Sequence, residues 1–173
     1  MLVPALMYKE EIEKFFAEHL YDDSMFFYNG YAHCNTIAEI KPMENVYQFA
    51  IINSNKEIVG YFSYRIDNLT DTVYNFGLYS FKQNNIIGIT VFNELNRLLK
   101  IHHRLEWRVI GGNPVKRHYD SFCKKFKGHR VHYHDIVKDC CNQYHDEYVY
   151  EILRDKWFTE IDSDEIYERS EPI

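Results

Sequence analysis

The feature that most constrains the fold is a change of hydrophobic period near residue 82. Three upstream segments, 46–53, 57–67 and 72–81, are rich in β-branched and aromatic residues, which favour strands. The polar stretch 53–56 indicates a hairpin, which the third segment continues as an antiparallel meander. Downstream, apolar residues recur at helical spacing, and they are Ile87, Val91, Phe92, Leu95, Leu98 and Leu99. This order predicts an α+β or α/β domain.

The N-terminal segment predicts one short strand and one helix. Residues 2–7 are apolar, but Pro4 restricts them to an edge strand or to the start of a strand. An amphipathic helix follows, in which Ile12, Phe15, Phe16 and His19/Leu20 recur at helical spacing among charged residues that begin at Lys9. Residues 21–44 contain several breakers, so we expect loops and a short helix there.

The C-terminal half predicts a strand, a helix and two more strands. Residues 104–110 favour a strand that ends at Gly111-Gly112, and Asn113-Pro114 opens a helix with a preferred cap residue and a proline. Residues 130–138 and 147–153 favour the last strands. We expect one domain over residues 1–154 and an acidic surface extension over residues 155–173.

Composition excludes several classes of protein. The net charge of −6 repels a phosphate backbone, and no basic patch offsets it, so we expect no nucleic-acid partner. No apolar run approaches the roughly 20 residues that span a bilayer, and the N-terminus lacks a signal-peptide pattern. The four cysteines include an adjacent pair, Cys140 and Cys141, which disfavours a bond between them. These features predict a cytoplasmic chain with reduced thiols and no membrane contact.

One strand-to-helix junction carries a recognisable motif. Phe76-Gly77-Leu78 is followed by Gln83-Asn84-Asn85-Ile86-Ile87-Gly88 and then by a helix. With the order of elements, this resembles the GNAT family of acyl-CoA-dependent N-acetyltransferases, whose fourth strand precedes an Arg/Gln-x-x-Gly-x-Gly/Ala turn. Ile86 stands where the family has its first glycine. The resemblance implies a mixed, mostly antiparallel central sheet flanked by helices, and acetyl-CoA as co-substrate.

The resemblance also implies the cofactor contacts. Helix N-termini and exposed peptide N–H groups bind pyrophosphate. The implied contacts are Leu78, Tyr79, Ser80, Gln83, Asn84, Asn85, Ile86, Ile87, Gly88 and, for the pantetheine arm, Asn113. An alternative stays open, because Asn84 or Asn85 could simply cap a core helix.

The catalytic residues follow less directly from the resemblance. Tyr119 is the candidate that protonates the departing thiolate, although its place on an apolar stripe is equally typical of a core residue. The third strand segment contains no carboxylate, so Asp71 and Glu106 are the nearest candidates for a general base, and each could be an ordinary surface charge. Acidic Asp22, Asp23, Glu39 and Glu44 hint at a cationic acceptor.

The implied function is direct acetyl transfer from acetyl-CoA to a primary amine. Two alternatives remain: a non-catalytic domain of the same fold that binds CoA or a protein, and an interaction protein that has lost the cofactor cleft. The abundance of Tyr and Phe would suit an aromatic interface, and a homodimer would be unsurprising.

A zinc hypothesis arises from His132-x-His134 with Cys140, Cys141 and His145. The spacing matches neither a C-x-x-C nor an H-x-x-x-H pair. The sequence therefore favours a cross-strand surface cluster, and we expect no metal.

Overall fold

One seven-stranded sheet organises the chain in the computed structural model, which describes residues 1–20, 22–29, 39–139 and 141–155. The strands are β1 (Leu2–Pro4), β2 (Val46–Ile52), β3 (Ile58–Asp67), β4 (Thr72–Ser80), β5 (Arg104–Ile110), β6 (His129–Lys138) and β7 (Tyr144–Leu153). The helices are α1 (Lys9–Glu18), α2 (Asp23–Asn29), α3 (Asn85–Ile101) and α4 (Lys116–Lys125).

The strand order is β1-β2-β3-β4-β5-β7-β6, so β7 lies between β5 and β6. Strands β4 and β5 are parallel, joined through α3, and every other neighbouring pair is antiparallel. The predicted fold class, a mixed and mostly antiparallel sheet flanked by helices, is confirmed.

The two faces of the sheet bury separate cores. Helices α3 and α4 cover one face, where Val91, Leu95 and Trp107 are among the buried residues. The start of the chain and α1 cover the other face, where Phe16 packs against Tyr61 and Tyr79. Alternation of side chains along the strands explains why β3 contributes Phe62 to the first core and Tyr61 to the second.

Several element boundaries differ from the prediction. The expected strand over residues 2–7 stops at Pro4 and turns into a 3₁₀ helix, Ala5–Tyr8, because proline cannot donate to the ladder. Helix α1 covers Lys9–Glu18, so His19 and Leu20, the last predicted apolar positions, lie beyond its end. Helix α4 begins at Lys116, and Asn113 accepts a hydrogen bond from the Val115 N–H (3.0 Å), so its cap forms a turn before the regular helix.

Two predictions fall largely on residues outside the described part. All of the acidic extension except Asp155 lies there, so the domain boundary at residue 154 stays a prediction. Cys34 and Cys140 also lie there, while the described Cys123 and Cys141 are not joined in a disulfide. Among described residues, no helix has the length and apolar character needed to cross a bilayer.

Candidate active site

Strands β4 and β5 are paired where they begin and diverge further along. Their parallel pairing consists of Thr72 with Arg104 and Val73 with Leu105. Beyond that point β4 runs on to Ser80 and β5 to Ile110 without pairing each other. We call the region between residues 76–80 of β4 and residues 107–110 of β5 the open split. It ends beside the turn that leads into α3.

A β-bulge lies where the open split begins. On β3 the register moves two residues, from Ser63 to Arg65, while on β4 it moves three, from Gly77 back to Tyr74. The extra residue sits near Asn75, whose φ of 55° is in the left-handed region. Bulges bend a strand and increase its twist, so this one accounts for the departure of β4 from β5.

The ladder alternation shows which peptide groups face the open split. The Phe81 N–H donates to the Val59 carbonyl (2.9 Å), and opposite residues alternate between bonded and non-bonded pairs. By that alternation, the backbone N–H and C=O groups of Tyr79 form hydrogen bonds with β3. Those of Leu78 and Ser80 point toward β5. Of the two neighbouring cofactor contacts that the resemblance implies, Leu78 and Tyr79, it is therefore Leu78 whose N–H faces the open split.

The same reasoning applies to β5. The Gly111 N–H donates to the Asp146 carbonyl (2.7 Å), which marks a bonded pair of β5 and β7. Alternation then directs the peptide groups of Arg108 and Ile110 toward β4. Both sides of the open split thus carry peptide donors and acceptors that the sheet does not use.

The N-terminus of α3 combines a capped turn with an exposed glycine. Asn84 caps the helix by accepting from the Ile86 N–H (3.0 Å), so that N–H is engaged within the chain. This is the capping role that the sequence left open. The Ile86 side chain packs against the core below α3 and does not stand over the turn. Gly88 is exposed, and a β-carbon there would meet nothing within 4 Å.

Aromatic side chains line the α4 side of the open split. Trp107 of β5 is 1% exposed and its ring lies 5.9 Å from Phe76 of β4 and 5.6 Å from Tyr119 of α4. Its indole Nε1–H has no hydrogen-bond partner among the described residues. Tyr119 is 4% exposed, and burial raises its pKa. Tyr119 therefore stays protonated, and the structure places it both in the core and close to the split.

Helix α2 covers the opposite side of the split. Tyr28 packs on Gly77 so closely that a β-carbon there would lie 3.1 Å from its ring, and Phe27 lies against Gly112 beyond the end of β5. A polar pocket of about 190 Å³ opens next to Tyr28, with Glu39, Gln48, Ser63 and Asn75 in its lining. Burial raises the pKa of Tyr28, so this phenol stays neutral and can donate a hydrogen bond.

Asn113 follows the end of β5, and the oxygen of its side-chain amide already accepts a hydrogen bond. Its Oδ1 caps the turn before α4, as described above, and the residue is half-buried. The contact of Asn113 with a pantetheine arm stays a prediction. The Nδ2 group of its side chain would make that contact.

The two candidate bases lie in different places. Asp71 sits before β4, at the end where β4 and β5 are paired, and its carboxylate binds His102 Nδ1 (2.7 Å). That hydrogen bond lowers the pKa of Asp71, which makes it a weaker base. Glu106 lies on β5 between the paired end and the split, and its carboxylate accepts from Arg104 (2.5 Å). The structure does not bring these two residues together.

A buried carboxylate at the end of β7 was missed by the sequence analysis. Glu147 is 3% exposed, lies opposite Ile110 and forms an ion pair with Arg108 (3.2 Å). Burial raises its pKa. The sequence marked residues 147–153 as a strand, but the insertion of β7 beside β5, which buries this residue, follows only from the sheet order.

The structure shows the fold of the GNAT acetyltransferases. A probable GNAT acetyltransferase from Chromobacterium violaceum superposes with a TM-score of 0.60 at 15% identity, covering 89% of this chain and 86% of that one. A variant of the spermidine N-acetyltransferase SpeG from Vibrio cholerae gives a TM-score of 0.51 at 14% identity, covering 88% and 79% of the two chains. No protein-family model matches the sequence, and no curated protein does. At these identities the likeness establishes the fold, which confirms the resemblance, and the activity has to be argued from the site.

Proposed function

We propose that this chain is an N-acetyltransferase that moves the acetyl group of acetyl-CoA directly to a primary amine. The observation that carries the proposal is the open split, where no ladder joins two neighbouring strands of the sheet in the described part of the chain, beside a helix N-terminus. Buried peptide groups need partners, and the great majority in folded proteins have them. A ligand that brings its own amides to this split would supply such partners.

The pantetheine arm of CoA suits the split because it is extended and contains two amides. Leu78 and Ser80 on one side, and Arg108 and Ile110 on the other, offer the backbone groups that an added strand would use. The indole N–H of Trp107 is a further donor, with no hydrogen-bond partner in the described part of the chain. Asn113, just beyond β5, is proposed to contact the arm as well.

The pyrophosphate of CoA is proposed to lie at the N-terminus of α3. The helix dipole favours an anion there, and the exposed Gly88 places no bulky side chain in the way of a phosphate. The proposed contacts extend over Gln83, Asn84, Asn85, Ile86, Ile87 and Gly88. Because Asn84 already occupies the Ile86 N–H, the other groups of the turn carry more of the binding.

In the proposed reaction the amine nitrogen attacks the thioester carbonyl, the C–S bond breaks, and the thiolate takes up a proton. The Leu78 N–H would stabilise the developing oxyanion, a contribution that typically amounts to about 10²- to 10³-fold in rate. Tyr119 holds the proton proposed for the thiolate, since burial keeps it protonated. Proton removal from the ammonium is assigned to water or to Glu106.

The polar pocket beside α2 is the proposed acceptor site. It lies on the face of the sheet opposite α4 and next to the bulge of β4, and Glu39 and the Ser63 hydroxyl can accept hydrogen bonds from an ammonium. A cationic amine suits these groups. The V. cholerae neighbour is named as a spermidine N-acetyltransferase, which agrees with this class of acceptor without fixing it.

A second candidate is a domain of the same fold that binds CoA without turnover. The engaged Ile86 N–H favours it, because the turn then offers fewer donors to a pyrophosphate. The paired state of both candidate bases favours it too, since Asp71 and Glu106 each hold a cationic or histidine partner.

Calorimetric titration with acetyl-CoA tests the proposal in wild type, Gly88→Arg and the matched control Gly88→Ala. We expect micromolar binding in wild type and Gly88→Ala, because a β-carbon meets nothing there, and at least about tenfold weaker binding in Gly88→Arg, equivalent to about 1.4 kcal/mol. Release of CoA thiol with a panel of polyamines and amines then tests turnover. Binding without turnover would select the second candidate, and absence of binding would reject both.

A further inference from the structure

Two histidines and an aspartate converge at the edge of the sheet that lies furthest from β1. His132 Nε2 lies 2.7 Å from Asp146 Oδ2, and His134 Nδ1 lies 3.6 Å from Asp146 Oδ1. One potential ligand atom from each of the three residues lies within 4.8 Å of the other two. We call His132, His134 and Asp146 the His-His-Asp cluster.

An irregularity of β6 creates this convergence. Between Tyr133 and Val137 the strand advances four residues, while its partner β7 advances only two, from Glu147 to His145. Asp135, within this bulge, has a φ of 51°, a strained value for a residue with a side chain. The distortion brings the two imidazole rings to a centroid distance of 3.9 Å. Bulges commonly re-aim side chains in this way.

The surrounding residues hold two of the three ligands in place. The Asp135 N–H donates to Asp146 Oδ1 (3.2 Å), which fixes the carboxylate. The ring of Tyr148 stacks on that of His132 at 4.4 Å and 16°. His134 is the exception, because its side chain is 75% exposed and can rotate toward an incoming ion.

We propose that the His-His-Asp cluster binds one divalent transition-metal ion, with Zn²⁺ as its natural probe. Imidazole nitrogens and a carboxylate oxygen bind Zn²⁺ at about 2.0–2.2 Å in a tetrahedral arrangement, which places adjacent ligand atoms about 3.4 Å apart. The present separations of 2.7 and 3.6 Å bracket that value, so small rotations suffice. Water completes the coordination. The ion takes the place of the His132–Asp146 hydrogen bond, and a proton on His132 Nε2 moves to Nδ1 or is released to water as the metal binds.

The ion would act on the fold next to the proposed cofactor site. The Asp146 carbonyl accepts from the Gly111 N–H, the residue between β5 and the turn that carries Asn113. Metal binding therefore joins the bulge of β6 to the end of β5 through one residue of β7. The expected consequence is a gain in thermal stability of the whole domain.

Zinc titration of untagged, chelator-treated protein tests the inference, with Asp146→Asn and His134→Ala as the disrupting variants. His103→Ala is the matched control, because His103 is also exposed but lies at the far end of β5. We expect one zinc per chain in wild type and His103→Ala. In the other two variants we expect binding to weaken by more than about 100-fold, beyond the 10- to 100-fold cost of losing only a supporting contact.

A thermal unfolding scan with and without zinc is the second readout. The midpoint should rise with zinc in wild type and in His103→Ala, and should not rise in Asp146→Asn. His134→Ala keeps the test valid if Asp146→Asn fails to fold, since the exposed His134 ring contributes little packing. Equal zinc binding by wild type and both disrupting variants would overturn the proposal, as would the absence of stoichiometric zinc in wild type.

Discussion

The two ends of the β4–β5 pair differ in whether a ladder joins the strands. At the closed end, residues 71–73 and 102–105, the backbones are paired and the Asp71 carboxylate binds His102 and the His103 N–H (2.8 Å). At the open split no ladder joins the two strands within the described residues. The closed end satisfies its polar groups within the protein, whereas the open split is where we propose that a ligand supplies the partners.

Without a ladder, the position of the two strands at the open split has to be held by other contacts, and side-chain packing provides them. Trp107 stacks on Tyr150 of β7 at 5.1 Å with an interplanar angle of 5°, and it also contacts Phe76 and Tyr119. Tyr150 in turn donates to Asp120 of α4 (2.7 Å). The difference between the two ends shows that strands can be held apart at a fixed position if a helix and its aromatic residues replace the missing ladder.

The largest expected effect concerns this packing. Trp107→Ala removes a fully buried indole and should lower the free energy of unfolding by about 3–5 kcal/mol, measured by urea denaturation. Trp107→Phe is the matched control, because it keeps a ring on Tyr150 and should cost less. A loss below about 1 kcal/mol for Trp107→Ala would show that packing does not hold the open split.

The second prediction distinguishes the β4 backbone groups that point toward β5 from those that pair with β3. Leu78→Pro removes the N–H directed at the open split and should lower the rate of acetyl transfer by about 10²- to 10³-fold with the fold retained. Tyr79→Pro removes a ladder N–H and should instead destabilise the fold, because proline in the middle of a sheet loses a ladder hydrogen bond. Kinetics and circular dichroism on both variants measure the contrast. If Leu78→Pro keeps full activity, the assignment of the oxyanion contact is wrong.

Much of the fold could be predicted from the sequence because local patterns determine it. Period-two strands, the apolar stripe of α3 and the cap at Asn84 are properties of neighbouring residues, and the structure confirms them. The motif from Gln83 to Gly88 also indicated the fold, although Ile86 departs from the family pattern. Buried Tyr119 on α4 was predicted as a core residue and as a catalyst, and burial agrees with the first without testing the second.

The rest depended on contacts distant in sequence. The bulge at Asn75 that opens the split comes from a register with β3, which no local pattern encodes. The sequence connected His132 and His134 with His145, yet the third member of the cluster is Asp146, and His145 binds Asp139 instead (2.9 Å). One residue of register along β7 decides which side chain faces the histidines, and only the folded sheet sets that register.

The smallest expected effect lies at the closed end and tests whether Asp71 has a structural or a catalytic role. Its hydrogen bond with His102 lowers the pKa of Asp71, so the ionised carboxylate contributes stability above its ordinary pKa, and this contribution disappears as the pH falls through the lowered value. Asp71→Asn should therefore lower the urea midpoint at pH 7, by less than Trp107→Ala because the carboxylate is half exposed, and the difference from wild type should shrink in acid. Acetyl transfer should persist in Asp71→Asn, because the residue lies at the paired end of the strands. Loss of turnover with an unchanged urea midpoint would restore Asp71 as the base and would show that the closed end also takes part in the chemistry.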